Sequence, residues 1–332
     1  MDALSRLFRA RWARLLFALL LASAVAFFFR DQLGFISDGI AALRSASLLW
    51  VLVAVLLCAL SFVAMTEVMV ELLRAGGVTV RRRSTLALVL AANSWSNSLP
   101  GGPALSTVLQ YKVQRAWGAS VMVISWFVVL SGALSTLWLV ILGLLAVALL
   151  GATFSIWSLV STGIGVLVLV FFVYWAANNP HFLERCAGLA LPFLNKMLRR
   201  SPDTGLEAVV GQIRQLQAVR LSFPRFVSIS LMSLLNRLLD LASLWAAVVA
   251  VGGVASGPGV TLSFLSAKIV GATGITPGGL GPLEAALTAS LSAAGLTASV
   301  ALAAVLVYRM VSFILATMIG WVVYLVGLKE KP

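Results

Sequence analysis

A run of helix-breaking residues interrupts the apolar second half of the chain at residues 274–284, which read GITPGGLGPLE. Two prolines and four glycines in eleven residues cannot maintain the hydrogen bonds of a helix. Unpaired backbone groups in hydrocarbon cost several kcal/mol each, so this break must face protein or water. A surface loop between two helices is the alternative. The short apolar segments on both sides, and the glutamate directly after the break, argue against it.

The composition predicts an all-α polytopic membrane protein. Of 332 residues, 61% are hydrophobic and 11% charged, whereas a soluble protein carries about 25% charged residues. The longest polar stretch, residues 177–223, is too short for a soluble core. Its basic residues and helical spacing of apolar residues predict a cytoplasmic amphipathic helix on the membrane. We therefore expect a single transmembrane domain over residues 1–332.

Six apolar segments are predicted to cross the membrane, because a spanning helix needs about 20 residues. The six segments are residues 15–29, 46–66, 120–150, 154–176, 224–251 and 297–326. The first reaches that length when it is extended toward Trp12. The first also imitates a signal peptide, which is the alternative to a retained span. Residues 30–44 carry two acidic and two basic side chains and are predicted to form a charge-neutral loop.

The first half of the chain contains a second interruption of the same kind. Pro100-Gly101-Gly102 precedes Pro277-Gly278-Gly279 by 177 residues, and short apolar arms flank both breaks. Each arm is too short to span a bilayer. The sequence therefore predicts two re-entrant helical hairpins, over residues 84–117 and 261–294.

The distribution of basic residues predicts the topology. With both termini in the cytoplasm, 19 of the 24 Lys and Arg fall on the cytoplasmic side, and only Arg30 and Arg44 fall outside. The two hairpins then open to opposite sides, so residues 1–150 and about 154–328 form an inverted repeat. Inverted-repeat transporters hold substrate where such interrupted segments meet. The alternative is that the hairpins only pack the protein core.

Five ionisable residues lie inside apolar segments: Arg237, Asp240, Lys268, Glu284 and Arg309. Charged side chains facing lipid are costly, so these should point inward and find partners. Arg237 and Asp240 are three residues apart, and one interpretation pairs them on a single helix face. Glu284 either caps the returning helix or acts as a proton-coupling or substrate-contacting carboxylate paired with Arg309. The excess positive charge favours an anionic group such as phosphate.

Neutral polar residues are dense around the first break. They are Asn93, Ser94, Ser96, Asn97, Ser98, Ser106, Thr107 and Gln110. Such a cluster indicates a wet cavity, although some members could instead satisfy the broken backbone. One histidine and two unpaired cysteines predict no metal, cofactor or catalytic constellation. The basic residues lie in short clusters between apolar runs, which favours contacts with anionic lipid over nucleic acid.

Residues 276–284, TPGGLGPLE, followed by Tyr308-Arg309, resemble the lysylphosphatidylglycerol synthase transmembrane family, the flippase-like proteins related to the membrane part of MprF. The resemblance covers nearly the whole chain. It implies movement of anionic or aminoacylated phospholipids, or of other lipid-linked headgroups, between leaflets. It also implies functional roles for the motif residues Pro277, Gly278, Gly279, Gly281, Glu284 and Arg309.

Many members of that family carry a charged run after the first proline, where this chain has the uncharged Pro100-Gly101-Gly102-Pro103. The soluble aminoacyl-transferase domain of the full synthase is not found in the sequence, so we expect no enzymatic activity. The predicted function is flipping or scrambling of an anionic lipid headgroup across the inner membrane. A small-solute transporter and an accessory subunit of a membrane glycosyltransferase are the alternatives. Homo-oligomers and membrane-enzyme partners both remain open.

Overall fold

The computed structural model describes residues 33–99, 101–150, 221–272 and 276–327, together with isolated positions between 161 and 192. Every regular element within those ranges is helical. Four helices are long and apolar enough to cross a membrane, namely Leu48–Ala75, Val121–Leu149, Phe223–Ala250 and Ala298–Val326. The described part is therefore the helical, multi-spanning protein that the composition predicts.

Ten α-helices make up these ranges. In the first half they are α1 (Leu33–Ser45), α2 (Leu48–Ala75), α3 (Arg82–Ser98), α4 (Gly102–Ala116) and α5 (Val121–Leu149). In the second half they are α6 (Phe223–Ala250), α7 (Gly257–Ala272), α8 (Pro282–Ala293), α9 (Ala298–Arg309) and α10 (Ala316–Gly327). A 3₁₀ turn, Pro277–Gly279, precedes α8, and a π-helical segment, Met310–Leu315, joins α9 to α10.

Local sequence explains where several helices begin. Ser120 caps α5, because its hydroxyl accepts a hydrogen bond from the Val123 amide at 3.2 Å. Proline lies in the first turn of α4, α6 and α8, where a missing amide hydrogen breaks no helical hydrogen bond. Gly77 ends the turn after α2 with a positive φ of 80°.

Helices α2 and α6 form the centre of the molecule. They are antiparallel, since the Ser47 amide before α2 donates to the Ala250 carbonyl at the end of α6 at 2.7 Å. One apolar cluster surrounds the C-terminal end of α2 and includes Leu72 and Phe127. A second surrounds the C-terminal end of α6 and includes Leu244 and Leu287.

Two pairs of short helices flank this centre, and each pair contains a break. We call α3 and α4 the first broken pair, and α7 and α8 the second. The start of the first pair lies beside the end of α2, where Arg82 Nε donates to Glu67 Oε1 at 2.6 Å. The open end of the second pair, where Gly259 packs on Ala294, follows directly after α6. The open ends of the two pairs therefore lie at opposite ends of the α2–α6 pair.

The structure corrects one local prediction. Residues 30–44 were expected to form a loop, but residues 33–45 form α1, which packs on α9. Packing outweighs the charges, because Ala42 is buried in the second apolar cluster and Leu43 and Ala46 pack against that cluster. The predicted spans at 15–29 and 154–176 and the amphipathic segment 177–223 lie wholly or largely outside the described residues.

Candidate functional site

A cavity of about 700 Å³ lies between the two broken pairs. Its walls come from α2, α3, α4, α6, α7, α8, α9 and the segment that joins α9 to α10, and both breaks border it. Four charged side chains line it, namely Arg237, Asp240, Lys268 and Arg309. Because α2 and α6 are membrane-length helices and the cavity contacts residues near their middles, the cavity is at membrane depth.

The second break is held in shape by its own backbone and by Glu284. Gly278 adopts a left-handed conformation with φ 60°, and a side chain there would overlap the Phe313 ring. Glu284 lies in the first turn of α8, and its Oε2 accepts a hydrogen bond from the Gly281 amide at 2.6 Å. A carboxylate at this position satisfies a free amide and complements the positive end of the helix.

Arg309 ties the last span to this break. Its Nε donates to Glu284 Oε1 at 2.6 Å, and its Nη2 donates to the Gly278 carbonyl at 2.8 Å. The guanidinium also lies over the Phe313 ring, 4.1 Å from the centroid. Arg309 and Glu284 are only 5% and 8% exposed, so each needs the other to remain charged in this position. The pairing that the sequence left open is formed, and Glu284 both caps its helix and binds Arg309.

Asp240 is the centre of a second polar cluster. Lys268 Nζ lies 2.6 Å from Asp240 Oδ2, and the Tyr308 hydroxyl donates to Asp240 Oδ1 at 2.8 Å. Lys268 is also 4.7 Å from the centroid of the Phe264 ring. The cluster joins α6, α7 and α9, and it occupies both oxygens of the carboxylate.

Arg237 does not make the ion pair with Asp240 that their spacing allowed. No ion pair between them appears in the described part of the chain, because Lys268 from another helix reaches Asp240 instead. The Nη2 of Arg237 hydrogen-bonds the Ser135 hydroxyl on α5. The Nε atom of Arg237 is buried and has no hydrogen-bond partner among the described residues.

The first break contributes the neutral side of the cavity. Gly101 has φ 66°, and Gly102 packs so closely on the Ser96 carbonyl that a side chain would overlap it. Asn97 Nδ2 donates to Thr317 Oγ1 on α10 at 3.1 Å. The Asn97 carbonyl lies beside Gly278, so the two breaks approach each other directly.

The structure brings together ten of the thirteen residues that the sequence indicated for binding or translocation. The cavity is lined by Asn97, Gly101, Gly102, Arg237, Asp240, Lys268, Pro277, Gly278, Gly279 and Arg309. Glu284 and Gly281 do not line the cavity. The Gly281 amide holds the Glu284 carboxylate, which in turn positions Arg309. Pro100 lies outside the described residues. The polar residues Asn93, Ser96, Ser106 and Gln110 also line the cavity, as a wet site requires.

Sequence reasoning missed three partners of these residues. Ser135 binds Arg237, Thr317 binds Asn97, and Phe313 packs beneath the Arg309 guanidinium. A single hydroxyl residue in an apolar span forms no repeating pattern that predicts its partner. In both hydrogen bonds the two residues are at least 102 positions apart in the sequence. The four-residue separation of Arg309 and Phe313 was a usable signal, because such residues lie on the same helix face.

The arrangement can bind an anion at membrane depth. With Glu284 counted, three cations and two carboxylates leave one net positive charge at the cavity. No group of three or more His, Cys, Asp or Glu that could hold a metal occurs among the described residues. The charged and neutral polar side chains that line the cavity can form hydrogen bonds and charge pairs with such an anion.

Comparisons with known proteins identify the family of this chain. Over 99 residues, 30% of each chain, the sequence is 31% identical to a protein described as "UPF0104 membrane protein MJ1595" from Methanocaldococcus jannaschii. The chain thus matches less than a third of that relative's length. A family model described as "Lysylphosphatidylglycerol synthase TM region" matches residues 12–320. Since that match covers most of the chain, this multi-pass membrane protein belongs to the lysylphosphatidylglycerol synthase transmembrane-region family.

Proposed function

We propose that this protein translocates a phospholipid or lipid-linked molecule between leaflets, with the anionic headgroup passing through the cavity between the two broken pairs. The observation that carries the proposal is the cavity itself, a polar, net-positive space of about 700 Å³ at membrane depth. Cavities of roughly 300–1,000 Å³ accommodate small organic groups, so a lipid headgroup fits while its acyl chains stay in the bilayer.

The energetic reason for such a cavity is the cost of moving charge through hydrocarbon. An ionised group in hydrocarbon costs several kcal/mol or more. Polar side chains along one wall and cations along the other replace part of the water that the headgroup would lose. The lining residues Asn93, Ser96, Gln110 and Arg237 provide these groups.

We also propose that the two broken pairs are re-entrant hairpins and inverted copies within a protein of six spans. Their open ends lie at opposite ends of the α2–α6 pair, which supports this arrangement. The excess of basic residues on one side favours an inner-membrane protein with both termini in the cytoplasm. The partners of this protein would then be anionic membrane lipids, and a homo-oligomer or a membrane enzyme could associate with it.

We propose transport without chemical conversion of the substrate. Both cavity carboxylates are held by cations, Asp240 by Lys268 and Glu284 by Arg309. A carboxylate held by a cation is a poor general base, because taking up a proton would give up the ion pair. Movement is then either passive scrambling or coupled to protons through one of these pairs.

The test is translocation in liposomes that contain the purified full chain. Fluorescent phosphatidylglycerol is incorporated into both leaflets when the liposomes are formed. An impermeant quencher then removes the fluorescence of the outer leaflet, and any further loss of fluorescence reports lipid that has moved from the inner to the outer leaflet. Ser96→Trp fills the cavity and should slow translocation at least tenfold. The matched control, Ser125→Trp, places the same side chain on the exposed face of α5 and should keep the wild-type rate.

Three results would contradict this proposal. Equal translocation rates in Ser96→Trp and wild type would show that the headgroup does not pass through the cavity. Uptake of a water-soluble anion without lipid movement would indicate a small-solute transporter. Activity that appears only with a membrane glycosyltransferase, and survives replacement of both Pro-Gly-Gly breaks, would indicate an accessory subunit.

A further inference from the structure

Arg237 lies at the middle of the molecule's membrane-spanning region. It is the fifteenth of the 28 residues of α6, and its partner Ser135 is the fifteenth of the 29 residues of α5. At 1.5 Å per residue, each is about 20 Å from either end of its helix. A cation at this depth is unfavourable unless it meets water or an anion.

The other two cavity cations are already neutralised by carboxylates. Arg309 is held by Glu284 and by the Gly278 carbonyl, and Lys268 is held by Asp240. Asp240 also accepts the Tyr308 hydroxyl on its second oxygen. Neither Arg309 nor Lys268 can take an incoming anion without giving up an existing charge partner.

Arg237 differs because its only hydrogen-bond partner in the described ranges is neutral. The Ser135 hydroxyl positions Nη2, and the buried Nε is left without an acceptor. A buried donor without an acceptor costs about 1–3 kcal/mol. The single excess positive charge of the cavity is therefore located at Arg237, next to an unused donor.

The cavity supplies a second unused donor. Asn93 Nδ2 on α3 is also buried without a partner, and Asn93 lines the same cavity as Arg237. Both unsatisfied groups are donors, so a ligand that pairs with them is an acceptor. An anion with several oxygen atoms satisfies this requirement better than water or a carbonyl, because it also neutralises the charge.

We propose that Arg237 is the residue that binds the phosphate of the cargo inside the cavity, and that Arg309 and Lys268 mainly hold the cavity in shape. The path of the cargo in this inference rests on the proposed function, whereas the position of the binding site rests on Arg237 alone. The shared chemistry is a phosphate monoester or diester. The planar guanidinium group suits phosphate because it can donate two parallel hydrogen bonds, which lysine cannot do.

The experiment measures binding to the full chain in detergent, through the shift in melting temperature as ligand is added. The probes are dihexanoyl phosphatidylglycerol, inorganic phosphate, and dihexanoylglycerol, which lacks phosphate. The variants are Arg237→Gln, Arg237→Lys, Ser135→Ala and Arg83→Gln. Arg83 is exposed outside the cavity, so Arg83→Gln is the control for loss of one positive charge.

We expect wild type and Arg83→Gln to bind the phosphatidylglycerol probe equally and the uncharged glycerolipid weakly. Loss of charged hydrogen bonds in Arg237→Gln should weaken binding about ten- to hundredfold. Arg237→Lys should recover part of the affinity, and Ser135→Ala should weaken binding several-fold because the guanidinium loses its anchor. Tighter binding of the lipid probe than of inorganic phosphate would identify a lipid headgroup. Equal binding of the two, with the same dependence on Arg237, would identify free phosphate.

Unchanged affinity in Arg237→Gln would overturn the inference. If that variant does not fold, unchanged affinity in both Arg237→Lys and Ser135→Ala would overturn it instead. A wild-type protein that binds phosphate through Arg237 but moves no lipid would leave the binding site standing and refute the proposed function. Lipid movement in wild type together with unchanged binding in Arg237→Gln would support the proposed function and refute the binding site at Arg237.

Discussion

Arg309 connects three parts of the molecule through one side chain. It lies on the last span, pairs with Glu284 on α8, and donates to the carbonyl of Gly278 in the second break. The pair is almost fully buried, so its attraction largely offsets the cost of removing two charges from water. Its main effect is to fix the position of the break relative to the last span.

Removing one member of this pair should strongly destabilise the protein. We expect Glu284→Gln to lower the free energy of unfolding by about 3–5 kcal/mol, because Arg309 is left as an unpaired buried charge. Thermal unfolding in detergent, followed by circular dichroism, measures the change. Glu71→Gln is the control, since its pair with Arg74 is exposed and worth about 1 kcal/mol or less. Similar losses in the two variants would refute the structural role of Glu284, and Glu284→Met with Arg309→Met should recover part of the loss.

Gly278 and Gly101 allow backbone strain to be separated from steric overlap. Both are left-handed, with φ 60° and 66°, but only Gly278 has the Phe313 ring and the Asn97 carbonyl against it. Gly101→Ala should cost about 1–2 kcal/mol from its conformation alone. Gly278→Ala should cost clearly more and should also disturb the cavity. Equal melting temperatures for the two variants would show that the two breaks do not approach each other as described.

At the scale of elements, α10 and α3 pack with their backbones in close contact. A side chain added at Gly320 would overlap the Ser94 hydroxyl and the Leu90 carbonyl. The same contact includes a hydrogen bond from Ser94 Oγ to the Thr317 carbonyl at 2.9 Å. Small residues at such interfaces allow helices to approach closely in membranes. The last span therefore holds the first broken pair as well as the second.

This contact gives a matched pair of glycine substitutions. Gly320→Ala should destabilise the protein by about 1–3 kcal/mol through overpacking. Gly132→Ala lies in the exposed middle of α5 with open space around it, and should be neutral or stabilise by up to about 1 kcal/mol. Melting temperatures in detergent distinguish the two effects. Stabilisation by Gly320→Ala would mean that α3 and α10 are farther apart than described.

At the scale of the whole molecule, the two broken pairs open toward opposite ends. The turn after α2 and the loop after α6 should therefore face opposite sides of the membrane. We expect Thr79→Cys and Val254→Cys, introduced separately after Cys58 and Cys186 are replaced by serine, to react with an impermeant maleimide from opposite sides. Both positions are exposed, and Val254 is 90% exposed. Labelling of both from one side of intact cells would contradict the inverted arrangement.

The pattern of apolar segments and breakers predicted much of this fold. The four described spans agree with their predicted segments to within a few residues, and α2 ends at Ala75, as expected from a polar continuation of the segment to Arg74. The loop predicted at residues 30–44 was wrong, because the packing of α1 on α9 could not be seen in local charge. The Arg237–Asp240 pair that one interpretation of the spacing allowed is not formed, because Lys268 on α7 binds Asp240 instead.

The amino-acid sequence is enough to identify a helical membrane protein with two Pro-Gly-Gly breaks and a few costly charges inside apolar segments. Hydrophobic length and helix-breaking residues act locally, so they can be recognised along the chain. Which charges neutralise each other follows instead from the packing of the helices. Ion pairing depends on distances of a few ångströms between separate helices, and those distances leave Arg237 without a carboxylate.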